Sequence, residues 1–234
     1  MNKIILLLWA MLFVACAGSS SDKNSDENTE VILIRKTSEY VLIPDSSEVT
    51  WNRYLNQKPT KQNVQIFGFS VEADLGEVEM TTSGTANVRS GNLILIDFNP
   101  VEALIIFDMQ SFKLAKEKGK GLFDVKNYPE CSLHIKSFEE QGDAYLVSSE
   151  LTIENTTKET QFELNVTENV DKIVLSGSFK INTLDYPLRD NVTAADVNQD
   201  VITINFVIPF TLFQETTEKI SNGEVIETET TSID

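Results

Sequence analysis

The chain has 234 residues, with 36 acidic against 19 basic side chains and a formal net charge of −17. That length holds one barrel-sized domain plus tails. The acid excess argues against nucleic acid or an anionic membrane surface as a partner.

Residues 1–15 read as a targeting segment rather than structure. Lys3 supplies the positive start, and the apolar run from Ile4 to Phe13 is too short to span a membrane stably. Phe13-Val14-Ala15-Cys16, followed by Ala17-Gly18-Ser19, resembles a bacterial lipobox. It predicts cleavage before Cys16 and acylation of that cysteine. Two or more acyl chains, at ~0.8 kcal/mol per buried methylene, hold more firmly than one. Ala17 behind the anchor points to the outer membrane of the cell envelope, periplasm-facing or surface-exposed. Residues 16–30 are polar and read as a flexible tether. With Cys16 acylated, the folded part keeps only Cys131, which excludes an intrachain disulfide.

From Val31 to Phe213 the pattern is almost all strand. Turns are expected at Ser83-Gly84, at Ser90-Gly91-Asn92 and at Asn99-Pro100. The stretch Leu122 to Tyr128 spaces its apolar residues as one short helical cap, and Pro129 ends it. From Cys131 the period becomes two, with Cys131, Leu133 and Ile135 on one face and Ser132, His134 and Lys136 on the other. Turns follow around Gly142 and near Glu168 to Asp171. Ile173, Leu175, Gly177, Phe179 and Ile181 then alternate cleanly, with Gly177 relieving crowding at a bend. Ile202, Ile204, Phe206, Ile208, Phe210 and Leu212 form the inward face of the closing strand. Regular short strands of this kind predict an antiparallel barrel or sandwich. Residues 214–234 are Thr/Glu-rich and read as a mobile tail with a weak hairpin around Ser221-Asn222-Gly223.

Phe123-Asp124-Val125-Lys126-Asn127-Tyr128-Pro129 with Leu133 resembles the F-D-V-x-x-Y-P-x-x-x-F signature of the YceI-like family. Tyr40 to Trp51, Phe107 to Phe112, and Leu151 to Leu164 are similar to further family blocks, in the family's order, with Asn155 where a glycine is usual. Met80-Thr81-Thr82-Ser83-Gly84 stands in place of the family's H-x-G motif. The resemblance implies an all-β, lipocalin-like antiparallel barrel of about eight strands, whose interior is sized for one elongated ligand. It also implies non-covalent binding of a polyisoprenoid, quinone or fatty-acyl lipid, with no cofactor.

The residues themselves offer little catalytic chemistry. His134 is the single histidine, on the polar face of its strand, without an evident metal or nucleophile partner. No G-x-S-x-G elbow or phosphate-cradling glycine loop occurs. The chain therefore reads as neither an enzyme nor a metal protein. Phe107, Met109, Phe123, Leu133, Phe179, Tyr186 and Phe206 are the expected ligand-facing set. Lys116, Lys118 and Lys120 form a basic cluster that reads either as a head-group rim or as a solvated loop. An interaction lipoprotein with a self-filled barrel is the alternative, and a homodimer is compatible with either.

Overall fold

The computed structural model describes residues 31–59, 61–66, 69–74, 76–112, 122–169, 172–186 and 197–233. Twelve strands follow in chain order: β1 (Ile32–Leu42), β2 (Glu48–Gln57), β3 (Lys61–Ile66), β4 (Phe69–Asp74), β5 (Val78–Ile96) and β6 (Asn99–Asp108), then β7 (Glu130–Gln141), β8 (Ala144–Ile153), β9 (Thr156–Asn169), β10 (Lys172–Asn182), β11 (Val197–Ser221) and β12 (Glu224–Ser232). Strands β5 to β11 pair antiparallel in sequence order, and β2 closes them into a ring of 8 strands by pairing with both β5 and β11. The expected antiparallel barrel is present. Strands β3 and β4 form a separate two-stranded sheet.

Strands β1 and β2 occupy one slot between β5 and β11, separated by a 3-10 turn at Pro44–Ser46. The interruption explains an otherwise anomalous proline. Pro209 sits inside β11, where a missing N–H would break a ladder. Its register partner on β10 is Val174, but on the other side it faces the gap between Leu42 and Glu48. There Ile43 N–H donates to the Pro209 carbonyl at 2.9 Å, so only a donor with no strand opposite it is lost.

Two expected turns are instead strand. Strand β5 runs unbroken through Ser83-Gly84 and through Ser90-Gly91-Asn92, with a bulge between Val88 and Ser90. These glycines serve packing. A Cβ on Gly84 would lie 2.6 Å from Cζ2 of Trp51, and one on Gly91 would lie 2.4 Å from the Leu104 carbonyl. The third, Asn99-Pro100, opens β6, and the real turn is Asp97-Phe98, both at positive φ as a two-residue hairpin of this hand requires. Gly177 does relieve crowding, because its Cβ would meet the Phe206 ring at 3.1 Å.

The helical cap is a single turn, closed by Tyr128 N–H on the Asp124 carbonyl at 2.8 Å. Pro129 prevents a second. The segment expected as a tail pairs as well: Gln214 to Ser221 lie against β1 on one side and β12 on the other. The Ser221-Asn222-Gly223 hairpin is therefore the tip of a three-stranded extension, supported by β1 rather than left as an isolated pair.

Gly84→Ala should lower the urea midpoint without changing its slope, by about 1–3 kcal/mol of overpacking against a buried indole. Gly177→Ala, with its nearest contact 0.5 Å longer (3.1 against 2.6 Å), should cost less.

Candidate functional site

The barrel interior is built by strand alternation, which turns every second side chain inward. Phe107, Met109, Phe123, Leu133, Phe179, Tyr186 and Phe206 all lie buried in one continuous apolar core. The Phe162, Phe179 and Phe206 rings meet at centroid distances of 5.4, 6.1 and 6.2 Å. Cys131 belongs to the same core, and burial pushes its thiol up to about 12. Its contribution to stability is full below its ordinary value of 9.0 and is lost as pH rises toward 12. Burial likewise raises the Tyr186 phenol, with Cys131 and Asp185 adding to the effect.

The interior is well filled. Leu93, Ile105, Leu133, Leu164, Leu175 and Phe210 are 0% exposed, so no water-sized space touches them from inside the barrel or outside. Phe123, Phe162, Ile181 and Tyr186 keep slight exposure.

The signature turn is fastened over one end of this core. Leu122, Phe123 and Asp124 are buried, and the Phe123 ring packs edge-on to Phe112 at 6.5 Å. Asp124 accepts from the Asn127 side chain at 2.7 Å, while its own N–H donates to Glu154 at 2.9 Å. Asn155 donates to the Tyr128 hydroxyl at 2.7 Å. The signature and the β8–β9 hairpin are thus two ends of one hydrogen-bonded contact. An asparagine at position 155 supplies a donor that a glycine there would lack.

Alternation also carries a charge inward. Arg53 follows Val49 and Trp51 on the inner face of β2, and Asp200 precedes Ile202 and Ile204 on that of β11. The guanidinium holds the carboxylate with two bonds, Nε to Oδ1 at 2.8 Å and Nη2 to Oδ2 at 2.7 Å. Their side chains are 14% and 1% exposed. Thr183, also buried, donates to the Asp200 carbonyl at 3.2 Å. Sequence reading missed this pair, although its signal was a polar residue at an inward position of an alternating run.

His134 stays on the outer face and meets Glu102 at 2.6 Å across β6 and β7. Among the described residues no group of three or more His, Cys, Asp or Glu could hold a metal ion. An open cleft of about 610 Å³ over β7, β8 and β9 is lined by Lys136, Ser148, Glu150, Glu159 and Gln161. Its polar walls offer nothing to an apolar chain. Cys16, Lys116, Lys118 and Lys120 lie outside the described residues.

Breaking the buried pair by Arg53→Met should destabilise by about 3–5 kcal/mol, because the Asp200 carboxylate, 1% exposed, would lose the guanidinium that holds both of its oxygens. Arg53→Met with Asp200→Leu should recover most of that loss in the same urea titration.

No curated protein matches the sequence. Among solved structures, the crystal structure of BcnA from Burkholderia cenocepacia is similar at 16% identity and a TM-score of 0.41, over 72% of this chain and 98% of that one. The family model described as the YceI-like domain matches residues 40–210. That span covers the whole ring from the end of β1 to Phe210, and the chain belongs to the YceI-like family.

Proposed function

We propose that this protein is a non-catalytic, membrane-anchored lipoprotein of the cell envelope that binds a long apolar ligand inside its barrel. The ligand class is a polyisoprenoid, quinone or fatty-acyl lipid, and Phe107, Met109, Phe123, Leu133, Phe179, Tyr186 and Phe206 are its wall. The observation that carries the reading is the closed ring around a continuous aliphatic and aromatic interior, within a family that typically binds apolar ligands.

The filled interior limits how a ligand enters. An apolar chain burying on the order of 500 Å² gains roughly 12 kcal/mol gross, at about 25 cal/mol per Å². Sending three phenylalanine rings into water would cost about 1.5–3 kcal/mol each, and association takes a further share. Little would remain. The Phe162, Phe179 and Phe206 rings must therefore re-pack against the ligand rather than leave the barrel. The near-complete burial of inward side chains favours a second reading, an interaction lipoprotein whose barrel its own residues fill.

Native mass spectrometry of the whole chain, released from detergent, separates the two. The ligand-binding reading expects an apolar adduct that disappears on denaturation. A bare barrel that also refuses added quinone, prenyl and fatty-acyl lipids leaves the self-filled reading. The anchor is tested separately. Cys16→Ser should move the protein from the membrane fraction to the soluble fraction, and continued membrane retention would refute acylation at that residue.

A further inference from the structure

Strands β1, β11 and β12 continue past the barrel as a three-stranded sheet, at the end opposite the signature turn. Its two outer edges differ. Along β12, Glu224, Glu227 and Glu229 flank the exposed Val225 and Ile226, and charges spaced in this way discourage strand addition. The edge of β1 opens with Ile32-Leu33-Ile34, at 50%, 62% and 65% exposure.

Hydrogen-bond parity shows which groups face outward there. Lys36 turns both its backbone groups away from β11: its N–H donates to Asp97 Oδ1 at 2.8 Å, and its carbonyl accepts from Asp97 N–H at 2.8 Å. Two and four residues earlier, Ile34 and Ile32 face the same way. Among the described residues no strand covers them, because the pairing of β1 with β5 begins only at Thr37. The Asp97-Phe98 hairpin tip ends this open stretch, and Lys36 lies 5.2 Å from the centre of the exposed Phe98 ring.

We propose that the β1 edge is a homodimer seam, in which two copies pair antiparallel about a two-fold axis at Leu33. This register sets Ile32 of each copy opposite Ile34 of the other, so the outward N–H and carbonyl groups of all four residues find partners. Leu33 then faces its own copy as the non-hydrogen-bonded pair, the closer of the two kinds. Because the strands run antiparallel and each barrel follows the C-terminal end of its own β1, this register directs the two barrels toward opposite ends of the joined sheet. The electrostatics permit it as well. Lys36 is held by Glu215 at 2.7 Å and Arg35 lies 3.9 Å from Glu218, so the seam is locally neutral in a chain of net charge −17. A membrane is the poorer occupant, since hydrocarbon cannot satisfy an open strand edge and the acid excess repels anionic head groups.

The test is oxidative crosslinking of the full chain in its native membranes. Leu33→Cys should give a disulfide-linked dimer on mild oxidation, because opposed residues of that pair type lie within bridging reach. Arg35→Cys should crosslink at least about tenfold less, its two copies standing ~13 Å apart along the strand at ~3.3 Å per residue. The parent chain reports any background from Cys16, while the buried Cys131 thiol stays inert. Adding Ile34→Pro, which removes an outward N–H, should abolish the Leu33→Cys dimer. Equal yields at positions 33 and 35, no dimer at 33, or a crosslink only to a different protein would each overturn the proposal.

Discussion

The fold depends on β2 meeting β11. All other neighbours in the ring follow one another in chain order, β2 and β5 with only the β3–β4 pair between them, but Arg53 and Asp200 meet across 147 residues. Left open, the barrel would expose two long unpaired edges, each a template for aggregation. The seam is also where register is best enforced. A one-residue slip turns every inward side chain outward, and here it would also separate Asp200 from Arg53. An unpartnered buried charge costs about 3–5 kcal/mol, a large share of the stability of an ordinary domain. Against a hydrophobic pair of similar volume, the intact ion pair contributes little or nothing. Its value lies in making the wrong closure expensive.

The interior is filled by matching large rings to absent side chains. Trp51 lies over Gly84, its register partner, and donates its indole N–H to the Thr85 carbonyl at 3.2 Å. Phe206 lies against Gly177 in the same way, one strand further round. Each aromatic occupies volume that a Cβ would otherwise claim, which is why rings of this size fit inside an eight-stranded wall at all. The same complementarity bears on ligand entry. The Phe206 ring meets no side chain on its glycine face and packs instead on Phe162 and Phe179, whereas Leu133 and Ile135 are fully buried and cannot move without opening a void.

Much of this was legible in the sequence wherever alternation was clean. The inward faces of β7, β10 and β11 follow directly from period two, and Leu133, Phe179 and Phe206 lie in the core for that reason. The failures share a cause. Gly84 and Gly91 read as turns because glycine is the usual turn residue, yet here the missing Cβ serves a contact with a distant strand. Residues 214–232 read as a tail because their apolar content is too low for an independent hairpin. They are strand because β1 supplies the third partner. Asp200 looked like one acid among 36, since nothing local marks the arginine that neutralises it. Local pattern reveals which way a side chain points; it does not reveal what waits there.

The YceI-like match begins at residue 40 and ends at residue 210, where the chain leaves the ring. What lies beyond is an overhang of β11, which at 25 residues outlasts every strand it borders. A closed ring has no edges, but an overhang must have two, so the difficulty that barrel closure removes returns in the extension. One edge is blunted in the usual way, by glutamates along β12. The other begins with three consecutive aliphatic residues and is covered only from Lys36 onward. Lys36 and Arg35 are paired with glutamates on β11, as Glu227 of β12 is with Lys219, so what sets the β1 edge apart is its uninterrupted aliphatic run. Had selection acted only for solubility, Ile32 and Ile34 are the positions where a charged side chain would cost least and protect most. Three consecutive exposed aliphatic residues on an open strand edge, on a chain this acidic, are the arrangement expected of a surface that is meant to be covered.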